Sequence, residues 1–207
     1  KLNIKQKGAG NGKTYSIWQD ICINFNKELN IIVTKQHTAK EVIKAELDDQ
    51  AKRQDCKHIS DNMNNLEKDL KYSKQLIVEY EHNKTKKKCV VVIGTIDSLI
   101  YNLTSCNSTS GNFFEHLLND INNNDYNKIN KNGIFRYAGR ELKLNKKTEL
   151  WIDEAQDLNR PYFEGVVKLM WQTKIDVVVV GDKLQSLEYK INFMTCVEDM
   201  IPNINII

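Results

Sequence analysis

Residues 149–159 read Glu-Leu-Trp-Ile-Asp-Glu-Ala-Gln-Asp-Leu-Asn, and the interpretation of the whole chain turns on them. The apolar run Leu150-Trp151-Ile152 is cut off by three carboxylates, Asp153, Glu154 and Asp157, with Gln156 among them. Such a pattern suits a buried parallel strand that delivers acids to its carboxyl end, where open α/β sheets place their ligands. Residues 7–14, Lys-Gly-Ala-Gly-Asn-Gly-Lys-Thr, supply the complement near the start of the chain. A glycine-rich loop ending in Gly12-Lys13-Thr14 lets backbone N–H groups wrap phosphates. It also brings a lysine to the terminal phosphates and offers a hydroxyl to Mg²⁺. The acids would then supply the other half of a metal site and a group to orient attacking water. A plain glycine turn is the bland alternative, and it leaves Asp153-Glu154 unexplained. Together the two stretches point to nucleoside triphosphate binding.

The remaining bounds are broad. A chain of 207 residues with a net charge of +3 can bury one α/β core with a small insertion, and its charge alone argues nothing about nucleic acid. No apolar run approaches the roughly 18 residues needed to span a bilayer, so no membrane partner is expected. Cys22, Cys56, Cys89, Cys106 and Cys196 are odd in number and lack paired spacing, which fits reduced thiols in a cytoplasmic or nuclear compartment, a viral replication site included. The abundance of Asn, Lys and Ile reflects an A/T-rich coding bias and carries no mechanism. The chain starts without methionine and is expected to be a fragment.

In chain order, residues 2–5 read as a strand feeding the glycine loop, and residues 14–26 as a helix with Ile17, Ile21 and Phe25 at helical spacing. Residues 29–33 form a second strand, and residues 38–50 a helix with Val42, Ile43 and Leu47 on one side. Between them lies the polar loop Thr34-Lys35-Gln36-His37-Thr38-Ala39-Lys40. From Ile59 to Tyr80 apolar residues recur at spacings of four and three, which predicts a long helix, an intradomain hairpin before a dimerising coil. Residues 89–94 predict a central strand ending in Thr95-Ile96-Asp97-Ser98. Residues 102–147 hold one helical pattern, 113–121, and an Asn-rich loop; His116 is structural. Pro161 opens a helix whose buried face is Phe163, Val166, Val167 and Met170, and residues 176–180 form a further buried strand. Residues 193–200 suggest a short helix and residues 204–207 the opening of another strand. Cys56, His58, His82 and Cys89 match no compact zinc spacing, and Cys89 suits the core better.

Gly-Ala-Gly-Asn-Gly-Lys-Thr, Asp-Glu-Ala-Gln-Asp and Gly181-Asp182-Lys183-Leu184-Gln185-Ser186, in this order, resemble the superfamily 1 helicases of the UvrD/Rep-like branch. Residues 34–40 and 94–98 resemble that family's two nucleic-acid-contacting loops. The resemblance implies a RecA-like P-loop NTPase domain: an α/β fold with a mainly parallel sheet flanked by helices. Residues 55–88 would be a helical insertion and residues 104–148 an Asn-rich one. It covers nearly all of residues 1–207 but only the first of the family's two RecA-like domains, so the second is expected outside this chain.

Carried over by position, Gly8, Gly10, Asn11, Gly12, Lys13, Thr14 and Tyr15 would hold ATP, with Lys13 on the β- and γ-phosphates and Tyr15 near the base or sugar. Thr14 and Asp153 would hold Mg²⁺, Glu154 would be the general base, Gln185 would sense the γ-phosphate, and Gln156 would couple the site to the partner domain and the DNA. Thr34, His37, Thr95 and Tyr189 would lie along single-stranded DNA, with RNA as an alternative partner, and other replication or repair proteins as further partners. Three departures stand out: Lys7 replaces a glycine, Asp97 replaces a histidine, and Tyr189 is displaced from the place of the usual base-stacking aromatic. No arginine among Arg53, Arg136, Arg140 and Arg160 sits at a motif, so the isolated chain is expected to hydrolyse ATP slowly. A finger from a second domain contributes about 10³–10⁵ in rate in phosphate-loop enzymes. The alternative functions are a nucleotide-dependent nucleic-acid-binding or scaffold module with little ATPase activity, and a small-molecule phosphotransferase. The second of these leaves Gln185 without a purpose.

Overall fold

The computed structural model describes residues 1–6, 25–35, 39–62, 75–99, 134–137, 140–182 and 191–200. Nine strands and three helices are named here in chain order among them. They are β1 (Leu2–Gln6), β2 (Leu29–Thr34), α1 (Ala39–Arg53), β3 (Cys56–Asp61), β4 (Leu76–His82) and β5 (Lys88–Thr95). There follow β6 (Ile134–Tyr137), β7 (Arg140–Lys143), β8 (Thr148–Ile152), α2 (Arg160–Thr173), β9 (Asp176–Gly181) and α3 (Phe193–Met200). Seven strands join one sheet in the order β1-β9-β8-β2-β5-β4-β3. The pairs β1/β9, β9/β8, β8/β2 and β2/β5 are parallel, while β4 runs against β5 and β3 against β4. The fold is therefore α/β, with a mostly parallel mixed sheet flanked by helices. Among the described residues, strands β6 and β7 pair only with each other.

Why these segments extend follows from what lies on each face. Strands β9 and β5 carry the runs Val177–Val180 and Val90–Ile93, whose β-branched side chains are stiff at χ1 and fit a pleated surface. Successive residues go to opposite sides. Ile31, Val33, Leu150, Ile152, Val177 and Val179 join one buried cluster with Phe163 and Val166 of α2 and Phe193 and Val197 of α3. Ile32, Trp151, Val178 and Val180 join the other, with Ile43, Leu47 and Ala51 of α1. A sheet apolar on both faces needs cover on both, which is why these strands read as continuous hydrophobic runs rather than alternating ones.

Two sequence expectations change. The stripe from Ile59 to Tyr80 does not make one long helix: Ile59 lies in β3, and Ile77 and Tyr80 lie in β4. Residues 63–74 fall outside the described residues, so the helical character expected of 55–88 fails at both ends. Period two competes with the three-and-four spacing here, because Leu76, Val78 and Tyr80 also line one face, the one that meets α1. β5 offers a ladder edge that a helix could not use, and Tyr80 secures the hairpin by donating its hydroxyl to Asp48 Oδ1 of α1 at 2.9 Å. The hairpin β6–β7 likewise falls in the part expected to be an Asn-rich insertion. Helix faces shift slightly too. Val42 is 70 % exposed, since the stripe toward the sheet runs Ile43, Leu47, Ala51, whereas on α2 Tyr162 and Leu169 are buried and Val167 and Met170 lie at the margin.

Leu150 is fully buried at the centre of this packing, between β2 and β9. Leu150→Ala is expected to lower stability by about 3 kcal/mol, the cost of lost transfer energy plus a cavity. Urea unfolding followed by circular dichroism measures it, and a loss under about 1 kcal/mol would contradict this account of the core.

Candidate functional site at the carboxyl edge of the sheet

The parallel register brings the ends of five strands to one edge. Thr34 pairs with Thr95, Val33 with Ile152, Ile152 with Val179, and Gly181 with Gln6. The chain thus leaves β1 at Gln6 beside Gly181-Asp182, and leaves β8 into Asp153-Glu154 one strand further along. Residues 7–14 begin at that same edge, although they lie outside the described residues, as do Tyr15, His37, Gln185 and Tyr189.

Asp153 continues the ladder by one more bond, its N–H donating to Val33 O at 2.8 Å, and its side chain is buried. Glu154 then turns the chain sharply, with φ 53° and ψ 42°, the left-handed region that a non-glycine residue enters at a cost of about 1 kcal/mol or more. A single 3₁₀ turn follows at Ala155–Asp157. Within it Gln156, only 3 % exposed, bridges two strands' ends. Its Nε2 donates to Glu154 Oε2, and its Oε1 accepts the Asp182 N–H at 3.1 Å. The amide's orientation follows from its neighbours, since turning it over would set oxygen against carboxylate and N–H against N–H. Gly181 makes room for it: a Cβ there would lie 2.6 Å from Gln156 Oε1.

Further ties make this acidic turn a hub. Lys35 Nζ, from the loop after β2, donates to Asp157 O at 3.0 Å. Phe193 N–H, at the start of α3, donates to Leu158 O at 2.7 Å, and Asn159 forms a bridge with Asn192. Asp182 thus sits beside Gln156, and Asn192 beside Asn159. Sequence reasoning quoted Lys35 within its loop but did not single it out; a cation one residue past a strand end, at the edge that carries the acids, was the available signal.

After β5 the chain passes directly into a helical turn at 96–99 rather than the polar loop expected. Ser98 Oγ accepts the Thr95 N–H at 3.2 Å and Thr95 Oγ1 accepts the Ser98 N–H at 3.1 Å, a reciprocal cap on the turn at 96–99. Thr34 and Thr95 are 3 % and 1 % exposed, so neither offers its hydroxyl to a ligand at this edge, contrary to the contact expected of them. Asp97, which stands where the resembling family has histidine, accepts a hydrogen bond from the Tyr162 hydroxyl at 2.8 Å. That bond ties the turn after β5 to α2 and engages the carboxylate inward. Tyr162 precedes the predicted apolar face by one residue, and its i, i+4 spacing to Val166 could have revealed it.

Among the described residues no group of three or more His, Cys, Asp and Glu side chains is placed to hold a metal ion. Cys56 and Cys89 are buried free thiols, and burial pushes the Cys89 thiol far above its ordinary value, so it stays protonated. Mg²⁺ at a triphosphate needs less, one or two protein oxygens beside those of the phosphates, and a buried Asp153 at the strand end is a fitting hard donor. Arg160 is exposed and bonded to Glu164 Oε1 at 2.8 Å, and the Arg53 guanidinium reaches Asp49 on α1. No helix among the described residues is long and apolar enough to cross a membrane. Neither a scan against protein-family models nor a search of curated proteins finds a match to this chain.

The Asp97–Tyr162 bond makes a measurable claim. Tyr162→Phe should cost about 1–2 kcal/mol and should be coupled to Asp97→Asn, since a bond to a charged acceptor is lost in either. A double-mutant cycle by urea unfolding checks this; a coupling indistinguishable from zero would mean the two side chains do not depend on each other.

Proposed function

We propose that this chain is the RecA-like ATP-binding domain of an ATP-dependent superfamily 1 helicase or translocase acting on single-stranded nucleic acid. The observation that carries the reading is the level edge: Gln6 in register with Gly181, and Asp153-Glu154 one strand away. A phosphate loop starting at residue 7 and acids starting at residue 153 then address one ligand from the ends of β1 and β8, with the end of β9 between them. The left-handed backbone at Glu154 adds support, because strain of that kind collects where a side chain must be aimed.

In this reading the backbone N–H groups of Gly8, Gly10, Asn11 and Gly12 cradle the phosphates, and Lys13 neutralises the β- and γ-groups. Thr14 and Asp153 would hold Mg²⁺, which offsets charge on the phosphates when bound. Glu154 accepts a hydrogen bond from the attacking water and takes its proton as the new P–O bond forms and the β–γ bridge breaks, with ADP leaving. Gln185, on the segment that departs beside Gln156, reports the γ-phosphate. A single strand crosses the same edge over the loop after β2 and the turn after β5. Because Thr34 and Thr95 are buried, its side-chain contacts come from His37 and Tyr189.

Substitutions should separate these roles. Lys13→Ala is expected to abolish binding of ATP·Mg²⁺, whereas Glu154→Gln should keep binding and lose turnover by about two orders of magnitude or more. Calorimetry with single-turnover hydrolysis measures both, and equal ATP affinity in wild type and Lys13→Ala would sink the assignment. For the strand, His37→Ala with Tyr189→Ala should weaken binding of a labelled single-stranded oligonucleotide by about tenfold, the loss of one stacked base at about 1–3 kcal/mol. Unchanged fluorescence anisotropy titrations in that variant would put the strand elsewhere.

A further inference from the structure

Gln156 is nine-tenths or more buried, and both ends of its amide are engaged at the point where the strand ends of β8 and β9 meet. We propose that Gln156, backed by Gly181, is the positioning residue that aims the Glu154 carboxylate, and that through the Asp182 N–H it locks that aim to the segment carrying Gln185. The inference rests on the reading of Glu154 as the group that aligns the attacking water. It assigns Gln156 a task inside this domain, independent of any partner domain.

The chemistry is specific to a carboxamide. A glutamate backbone in the left-handed region leaves its side chain several rotamers, and a water-aligning carboxylate must be held within a fraction of an ångström. An N–H donor on Oε2 removes that freedom and leaves Oε1 to meet the water. Only a side chain that donates at one tip and accepts at the other can hold Glu154 and Asp182 together. Glycine at 181 is the matching requirement, because any Cβ would press on the accepting oxygen.

The test uses four variants of the full chain. Gln156→Glu is nearly isosteric and keeps an acceptor for the Asp182 N–H, but it faces Glu154 with a second carboxylate. Gln156→Ala removes both contacts, and Gly181→Ala displaces an intact amide. All three should lower single-turnover ATP hydrolysis by about 10- to 100-fold while ATP·Mg²⁺ affinity stays within about twofold, as expected when positioning is lost but binding is not. Hydrogen exchange at the Asp182 amide should quicken in Gln156→Ala and stay slow in Gln156→Glu. In a Glu154→Gln background, Gln156→Ala should cost less than about threefold more, since nothing is left to aim. Wild-type hydrolysis in Gln156→Glu, or a full additive loss in the double variant, overturns the inference while leaving the site standing. A wild-type chain that neither binds nor hydrolyses ATP overturns the reading of the site, and the inference falls with it. Should Gln156→Ala fail to fold, the isosteric Gln156→Glu decides alone.

Discussion

The turn at Glu154 is the constraint on which the functional edge depends. A non-glycine residue in the left-handed region is unfavourable by itself, and it persists only where surrounding contacts over-determine it. Here they come from three directions. Val33 O fixes the Asp153 N–H from β2, the Gln156 amide ties the side chain to Asp182 beyond β9, and Phe193 N–H takes Leu158 O from α3. Each anchor belongs to a different element, so the turn could not form in an isolated peptide. Local strain is offset by tertiary structure, and the return is two acids presented at the end of β8.

Those anchors hold only because the sheet beneath them is rigid. The parallel strands are apolar on both faces over most of their length, and their cores interlock from α1 on one side and α2 with α3 on the other. The register between β2, β5, β8, β9 and β1 is specified by that two-sided burial, because a slip by one residue would exchange the two apolar sets. The antiparallel hairpin β3–β4 widens the sheet beyond β5, with Tyr80 bonded to α1.

Much of this was legible in the sequence. Continuous apolar runs such as Val177–Val180 announce buried parallel strands, and the abrupt Ile152-to-Asp153 change marks the strand end. What the pattern could not decide was a segment that satisfies two periods at once. Residues 59–80 fit helical spacing, yet Leu76, Val78 and Tyr80 also fit period two, and the availability of β5's edge settled it. Long-range polar partners were also hidden. Nothing near Asp97 in sequence names Tyr162, and nothing near Gln156 names Asp182. A buried threonine cap at Thr95 reads, in one dimension, like a polar loop residue free to meet a ligand.

The central claim is that residues 7–14 and Asp153-Glu154 address one nucleotide at one edge. The most direct measurement is paramagnetic line broadening of backbone amides by Mn²⁺ bound with a non-hydrolysable ATP analogue. Broadening confined to residues 8–15, 153–156 and 181–182, with Glu28, Lys143 and Lys147 at the opposite edge untouched, is the predicted result. Broadening centred on the opposite edge, or on the 8–15 amides without those of Asp153 and Asp182, would contradict it.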